Sequence, residues 1–182
     1  WTELWLMPRL PAFRAAHPNI CFCINGEGDV PVRLGAPDIR ISRSEDAKGD
    51  ILFRDLHVAI TGPDNLRRLG DWDRDFELEG LPLLHIDPDQ KESCLPGWPE
   101  WVAQHGMRRE GADRGVNYRH LRQALAAVRE NVGFLICGLC LARQDIEAGN
   151  VVLVYPADRH LSEVAPFRMF LRNETRMTAQ VR

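Results

Sequence analysis

A long apolar run, a surplus of positive charge and a compact catalytic signature are all missing from this chain. No stretch of its 182 residues approaches the roughly 18–20 apolar residues that span a bilayer, so no membrane partner is expected. No basic-then-apolar leader opens the chain either. The net charge is −3 and the pI about 6.1. Such a balance leaves no electrostatic footprint for a phosphate backbone, so the segment is not expected to grip nucleic acid by itself. GxSxG, HExxH, the Walker A loop and GxGxxG are all absent. Six histidines and 26 acids guarantee chance pairings, but no arrangement calls for an enzyme or a bound cofactor. Internal repeats and low-complexity tracts are missing too.

Cysteine is scarce and odd in number, five in all, which excludes a disulfide framework. Cys21 and Cys23 alternate along an expected strand, and Cys137 and Cys140 form a CxxC within an apolar run. A four-cysteine zinc site would use such pairs, but the polar knuckle turns of zinc ribbons are absent. The expectation is buried, reduced core thiols, no metal and a reducing, cytoplasmic setting.

What is present describes a globular protein with a real core, 45% hydrophobic and 27% charged. Leu6, Leu10, Phe13 and His17 fall on one face of a 3.6-residue period, predicting an amphipathic helix that begins near Pro8 and stops at Pro18. Prolines cost little in a first turn, where N–H groups have no intrahelical acceptor. Strands are expected at 20–24, 38–42, 51–60, 81–86, 134–137 and 151–155, the third long enough to cross between two lobes. Helices are expected at 64–69, 98–105, 119–130 and 139–147, with a last one from Ser162. Alternating short strands and helices, several strands continuously apolar, predict parallel α/β sheets covered on both faces. The start at Trp1, without methionine, suggests a fragment.

The run 5–18, Trp-Leu-Met-Pro-Arg-Leu-Pro-Ala-Phe-Arg-Ala-Ala-His-Pro, resembles the "WLvPRLxxFxxxhP" opening of the effector-binding domain of LysR-type transcriptional regulators. Further matches follow in the family's order. Asp38 to Ile41 resembles "DvaIr", Leu52 to Pro63 the "Lf.e.l.pvcsP" hinge strand, and Leu83-Leu84-His85 with Trp101 a "lLh…W" segment. Ala124 to Ile136 resembles "LqAA..G.GvAl", Asp145 to Gly149 "eieaG", and Phe167 to Leu171 "FrdWL". The likeness spans nearly the whole chain and is nearest to the glycine-cleavage-activator subgroup. Three departures stand out: the family's first strand has no counterpart, a strand and loop are missing between Gly149 and Val151, and Asn131 replaces the first glycine of a GxG turn. Asn tolerates the left-handed conformation, so that exchange is mild.

The resemblance implies two Rossmann-like α/β lobes joined by crossing strands, a type 2 periplasmic-binding-protein-like fold. Lobe I would comprise 1–54 with 151–182, and lobe II 55–150. A small-molecule effector would bind in the interlobe cleft, and the domain would self-associate as a dimer or tetramer. DNA would be bound only through an N-terminal winged helix-turn-helix outside this sequence. The alternative is a solute-binding protein of a transport system with the same fold; the two differ in what precedes Trp1.

Residues after strands at such a cleft are the candidates for binding. They are Thr2 and Glu3 before the first helix, Asn25 and Glu27 after the strand at 20–24, Ser42 and Arg43 at the end of the strand at 38–42, and Thr61 at the hinge. In the second lobe they are His85, Asp87, Tyr118, Arg119 and His120. A solvated loop or capping role competes for each. Arg43 and Arg119 carry most weight, because guanidinium takes a carboxylate in a two-pronged way and so hints at an anionic effector.

Overall fold

Residues 51–60, which read as one strand, form two. The break at 54–56 separates two compact units, Asp55–Val164 and Thr2–Arg54 with Ala165–Arg182. The computed structural model describes residues 2–25, 37–44, 46, 48–69, 78–87, 96–106, 108–161 and 165–172.

In the unit holding the amino-terminal segment, a helical run begins earlier than Pro8. A π-helical turn, Thr2–Leu6, passes through a 3-10 turn, Met7–Arg9, into α1, Leu10–Ala16. The pitch changes where Pro8 and Pro11 remove backbone donors. Phe13, midway along α1, packs at a tilt against His17 at 4.7 Å and Phe22 at 5.3 Å. The strand expected at 20–24 does not form, and Cys21 and Cys23 are exposed rather than core thiols.

The same unit contains β1 (Ile39–Arg43) and β2 (Asp50–Phe53), both antiparallel to β8 (Phe167–Leu171) in the order β1-β8-β2. The last helix expected from Ser162 is therefore corrected to a strand over 167–171. Phe167 and Met169 are buried while Arg168 and Phe170 are half-buried, a period of two that the family likeness obscured. An aromatic column fastens the helical run to this sheet: Trp5 stacks on Phe53 at 4.5 Å and Phe53 on Phe167 at 4.6 Å. Arginines close both ends, Arg9 over Trp5 at 4.5 Å and Arg43 over Phe167 at 4.8 Å.

The larger unit is a five-stranded sheet. Its elements run β3 (His57–Thr61), α2 (Pro63–Leu69), β4 (Leu83–Ile86), α3 (Trp98–His105), β5 (Val116–Tyr118), α4 (Leu121–Arg129), β6 (Phe134–Gly138), α5 (Leu139–Glu147) and β7 (Val152–Leu153). Strand order is β5-β4-β6-β3-β7. β4 is parallel to β5 and β6, whereas β3 is antiparallel to β6 and β7, so the all-parallel expectation is corrected to mixed sheets. Strand β5 was not anticipated. Because β7 pairs with β3, residues 151–164 belong with this unit rather than with lobe I.

Every residue of β3 and β6 is buried, as covering both sheet faces requires. Trp98 and Trp101 of α3 pack with Ala59, Leu83, Phe134 and Ile136 in one cluster. The Trp98 indole N–H donates to the Phe134 carbonyl at 3.1 Å. Ala124, Leu125 and Val128 of α4 and Leu141 and Ala142 of α5 are buried as well. Arg129 ties these two helices, donating twice to the buried Asp145 carboxylate at 2.8 and 2.6 Å.

Asn131 follows α4 at φ 57°, the left-handed conformation expected of it. It does more than turn the chain. Its Oδ1 accepts the Asp64 and Asn65 N–H groups at 2.8 and 3.2 Å, capping α2 from a distant part of the sequence. Gly62 lets it approach, since a methyl there would overlap Asn131 Oδ1.

Asn131→Ala should lower unfolding stability by about 1–2 kcal/mol in urea titration, losing both cap and turn preference. Asn131→Gly should lose less, because it keeps the turn. Burial raises the Tyr155 phenol above its ordinary 10, with Arg159 pulling weakly the other way. The folded state therefore holds this proton more tightly than the unfolded chain, so the stabilisation is present below pH 10 and is lost as pH rises beyond it. Melting temperature should fall above pH 10, and less steeply in Tyr155→Phe.

Candidate functional site

Parallel strands end together. Ile86 of β4 lies opposite Tyr118 of β5, and the Asp87 N–H donates to the Tyr118 carbonyl at 2.9 Å. Gly138 closes β6 on the same edge, opposite His57 at the start of the antiparallel β3. Open α/β sheets place ligand sites outside the carboxyl ends of their strands, where loops and helix N-termini converge.

Two helices begin on this edge, and they differ. The N-terminus of α5 is already occupied by a carboxylate: Asp55, buried, accepts the Cys140 N–H on Oδ1 at 2.8 Å. Gly138 makes room for it, since a methyl there would overlap Asp55 Oδ2. At α4 the N-cap residue itself supplies no side-chain cap. His120 is its N-cap residue in extended conformation, and its carbonyl accepts from Gln123 and Ala124 at 3.0 and 3.3 Å. A helix start without a side-chain cap presents backbone N–H groups and a partial positive charge, both suited to an anion.

Four of the sequence-predicted residues follow strand ends on this edge, Asp87, Tyr118, Arg119 and His120, whereas the His85 ring turns back toward the amino end of β5. His85 is half-buried and held by an Nε2–H bond to the Arg114 carbonyl at 3.2 Å. Gly115 allows β4 and β5 to come this close, because a methyl there would overlap the Leu83 carbonyl. Asp87 and Tyr118 are half-buried; Arg119 and His120 are exposed.

Thr61 is not among them. Since β3 runs opposite to β6, Thr61 pairs with Phe134 and ends on the other edge of the sheet. It is fully buried, donating to the Gly133 carbonyl at 3.0 Å and accepting from Asn65 at 2.9 Å, which makes it structural. The remaining candidates belong to the other unit. Thr2 and Glu3 open its helical run, and Asn25 is exposed and contacts Cys23. Ser42 and Arg43 end β1, with Arg43 resting on the Phe167 ring. Glu27 lies outside the described residues.

Sequence reading missed Asp55 and His57, both buried at the start of β3. Treating 51–60 as one strand hid them; an Asp and a His flanking Leu56 in an otherwise apolar run were the available signal. Cys137 is buried and Cys140 half-buried. Among the described residues, no group of three or more His, Cys, Asp or Glu could hold a metal ion. No described helix is long and apolar enough to cross a membrane.

This architecture, two α/β units with mixed sheets, is that of the periplasmic-binding-protein-like effector domains. The fold agrees with the regulatory domain of CrgA, a LysR-type transcriptional regulator from Neisseria meningitidis, at TM-score 0.71 and 17% identity, covering 99% of this chain and 89% of that one. It agrees with the effector domain of the transcriptional regulator AmpR of Pseudomonas aeruginosa at TM-score 0.67 and 20% identity, covering 99% and 86%.

All of residues 1–182 match the LysR substrate binding domain, and the chain belongs to that family, the effector-binding domain of LysR-type transcriptional regulators. The family is one of regulators, not enzymes. Over 149 residues, 81% of this chain, it is 26% identical to the HTH-type transcriptional regulator TrpI of Pseudomonas aeruginosa. The chain spans about half the length of that curated relative.

Gly138→Ala should force Asp55 off the α5 N-terminus. A loss of about 1–3 kcal/mol, the usual range for an overpacked interior site, is expected in denaturant titration. A value near zero would show that the Asp55 cap is dispensable.

Proposed function

We propose that this domain senses a small anionic effector and relays it to a DNA-binding segment outside this sequence. The observation that carries the reading is the α4 N-terminus. Its N-cap residue supplies no side-chain cap, and it opens beside Asp87, Tyr118, Arg119 and His120 on the carboxyl edge of the sheet. An anion there would gain backbone N–H donors and the Arg119 guanidinium together.

In this proposal the effector is held in the cleft between the two lobes, as in the domains the sequence resembles. Thr2, Glu3, Asn25, Glu27, Ser42 and Arg43 supply the lobe I side of that cleft. The full-length regulator is a cytoplasmic homodimer or homotetramer, of the glycine-cleavage-activator subgroup, that binds DNA through a winged helix-turn-helix. The effector acts only through its differential affinity for two arrangements of the protein. Family membership favours this reading over a transport solute-binding protein.

A thermal-shift screen of small organic acids and amino acids tests it, because a ligand specific to the folded state raises apparent stability by mass action. Among the compounds that stabilise the domain, anions should lead. Their shift should shrink at least severalfold in Arg119→Ala/Tyr118→Phe while the ligand-free melting temperature holds. An equal shift in that double variant places the effector elsewhere.

A further inference from the structure

The larger unit holds a concave feature that the effector reading does not use. It is a solvent-open cavity of about 230 Å³ lined by His105, Pro156, Asp158 and Arg159. We propose that it binds the zwitterion of a small α-amino acid, with the ligand carboxylate on Arg159 and its ammonium between Asp158 and His105.

The lining is held rigidly from beneath. Trp101, fully buried, packs at a tilt against His105 at 4.6 Å and stacks on Tyr155 at 5.8 Å. Arg159 in turn lies over the Tyr155 ring at 5.1 Å. A guanidinium seated on an aromatic face is preorganised for planar, two-pronged recognition of a carboxylate. The loop carrying it is pinned by the Arg159 N–H to the Pro156 carbonyl at 2.9 Å and by the His160 ring to the Ala157 carbonyl at 3.0 Å.

His105 is fixed as well. Its Nε2–H donates to the His160 carbonyl at 3.1 Å, which leaves Nδ1 as the acceptor of the neutral ring. Asp158 adds a carboxylate to the same lining. Cation, anion and acceptor thus surround one opening, a pattern that matches a zwitterion better than a simple anion or amine. A cavity of this volume admits a ligand of a few heavy atoms. One more polar atom sits below: the buried Trp101 indole N–H has no hydrogen-bond partner among the described residues.

Isothermal titration of the 182-residue chain with L-alanine and L-serine tests the proposal, with propionate and ethylamine as single-charge controls. Saturable binding of the amino acids is expected, with each control weaker. Arg159→Gln should weaken amino acid and propionate binding more than tenfold, since a charge-assisted bond is lost. Asp158→Asn should weaken amino acid binding comparably while sparing propionate. The Trp101 indole cross-peak in an ¹H–¹⁵N spectrum should move on binding, and Arg119→Ala/Tyr118→Phe should bind alanine as the wild type does. Absence of saturable binding by both amino acids, or amino acid affinity as in the wild type in either Arg159→Gln or Asp158→Asn, overturns the proposal.

Discussion

Everything in the larger unit depends on the antiparallel pairing of β3 with β6. Five residues face five, His57 to Gly138 through Thr61 to Phe134, and all ten are buried. Because β4 and β5 follow the direction of β6, this one pairing determines which side chains share an edge. It sets Asp55 and His57 beside the carboxyl ends of the parallel strands and sends Thr61 to the opposite edge. One reversed strand thus places Thr61 and the Asp55–His57 pair at opposite edges of the unit.

The two edges are finished differently. On the Thr61 edge, Asn131 and Gly62 interlock: a side chain from the end of α4 caps α2, and the glycine leaves space for it. On the other edge, Asp55 neutralises the positive end of α5, while the N-cap residue of α4 supplies no side-chain cap of its own. In the smaller unit, the arginine-closed column of Trp5, Phe53 and Phe167 does the corresponding work of fixing a helix to a sheet.

Much of this was legible in the residues. Helix α5 falls on the expected 139–147, and α3 ends at Gly106 as its punctuation indicates. These segments are long enough for periodicity and stop signals to agree. The failures have physical causes. Residues 20–24 have strand-forming composition, but composition does not supply a neighbouring strand to pair with. Residues 167–171 follow a helical family pattern, yet their burial alternates, and pairing with both β1 and β2 decides the matter. Of the candidate positions, Asp87 and 118–120 fall at strand ends on one edge of the sheet, while Thr61 lies on the opposite edge because strand direction is not written in local sequence.

The central claim is that the effector engages the carboxyl edge at the start of α4. Amide hydrogen exchange on the domain, with and without the compound giving the largest thermal shift, tests it most directly. The account predicts slowed exchange at 86–87 and 118–123, with 61–65 and 131–133 unchanged. Protection confined to 61–65 and 131–133, leaving 118–123 as in the free domain, would contradict it.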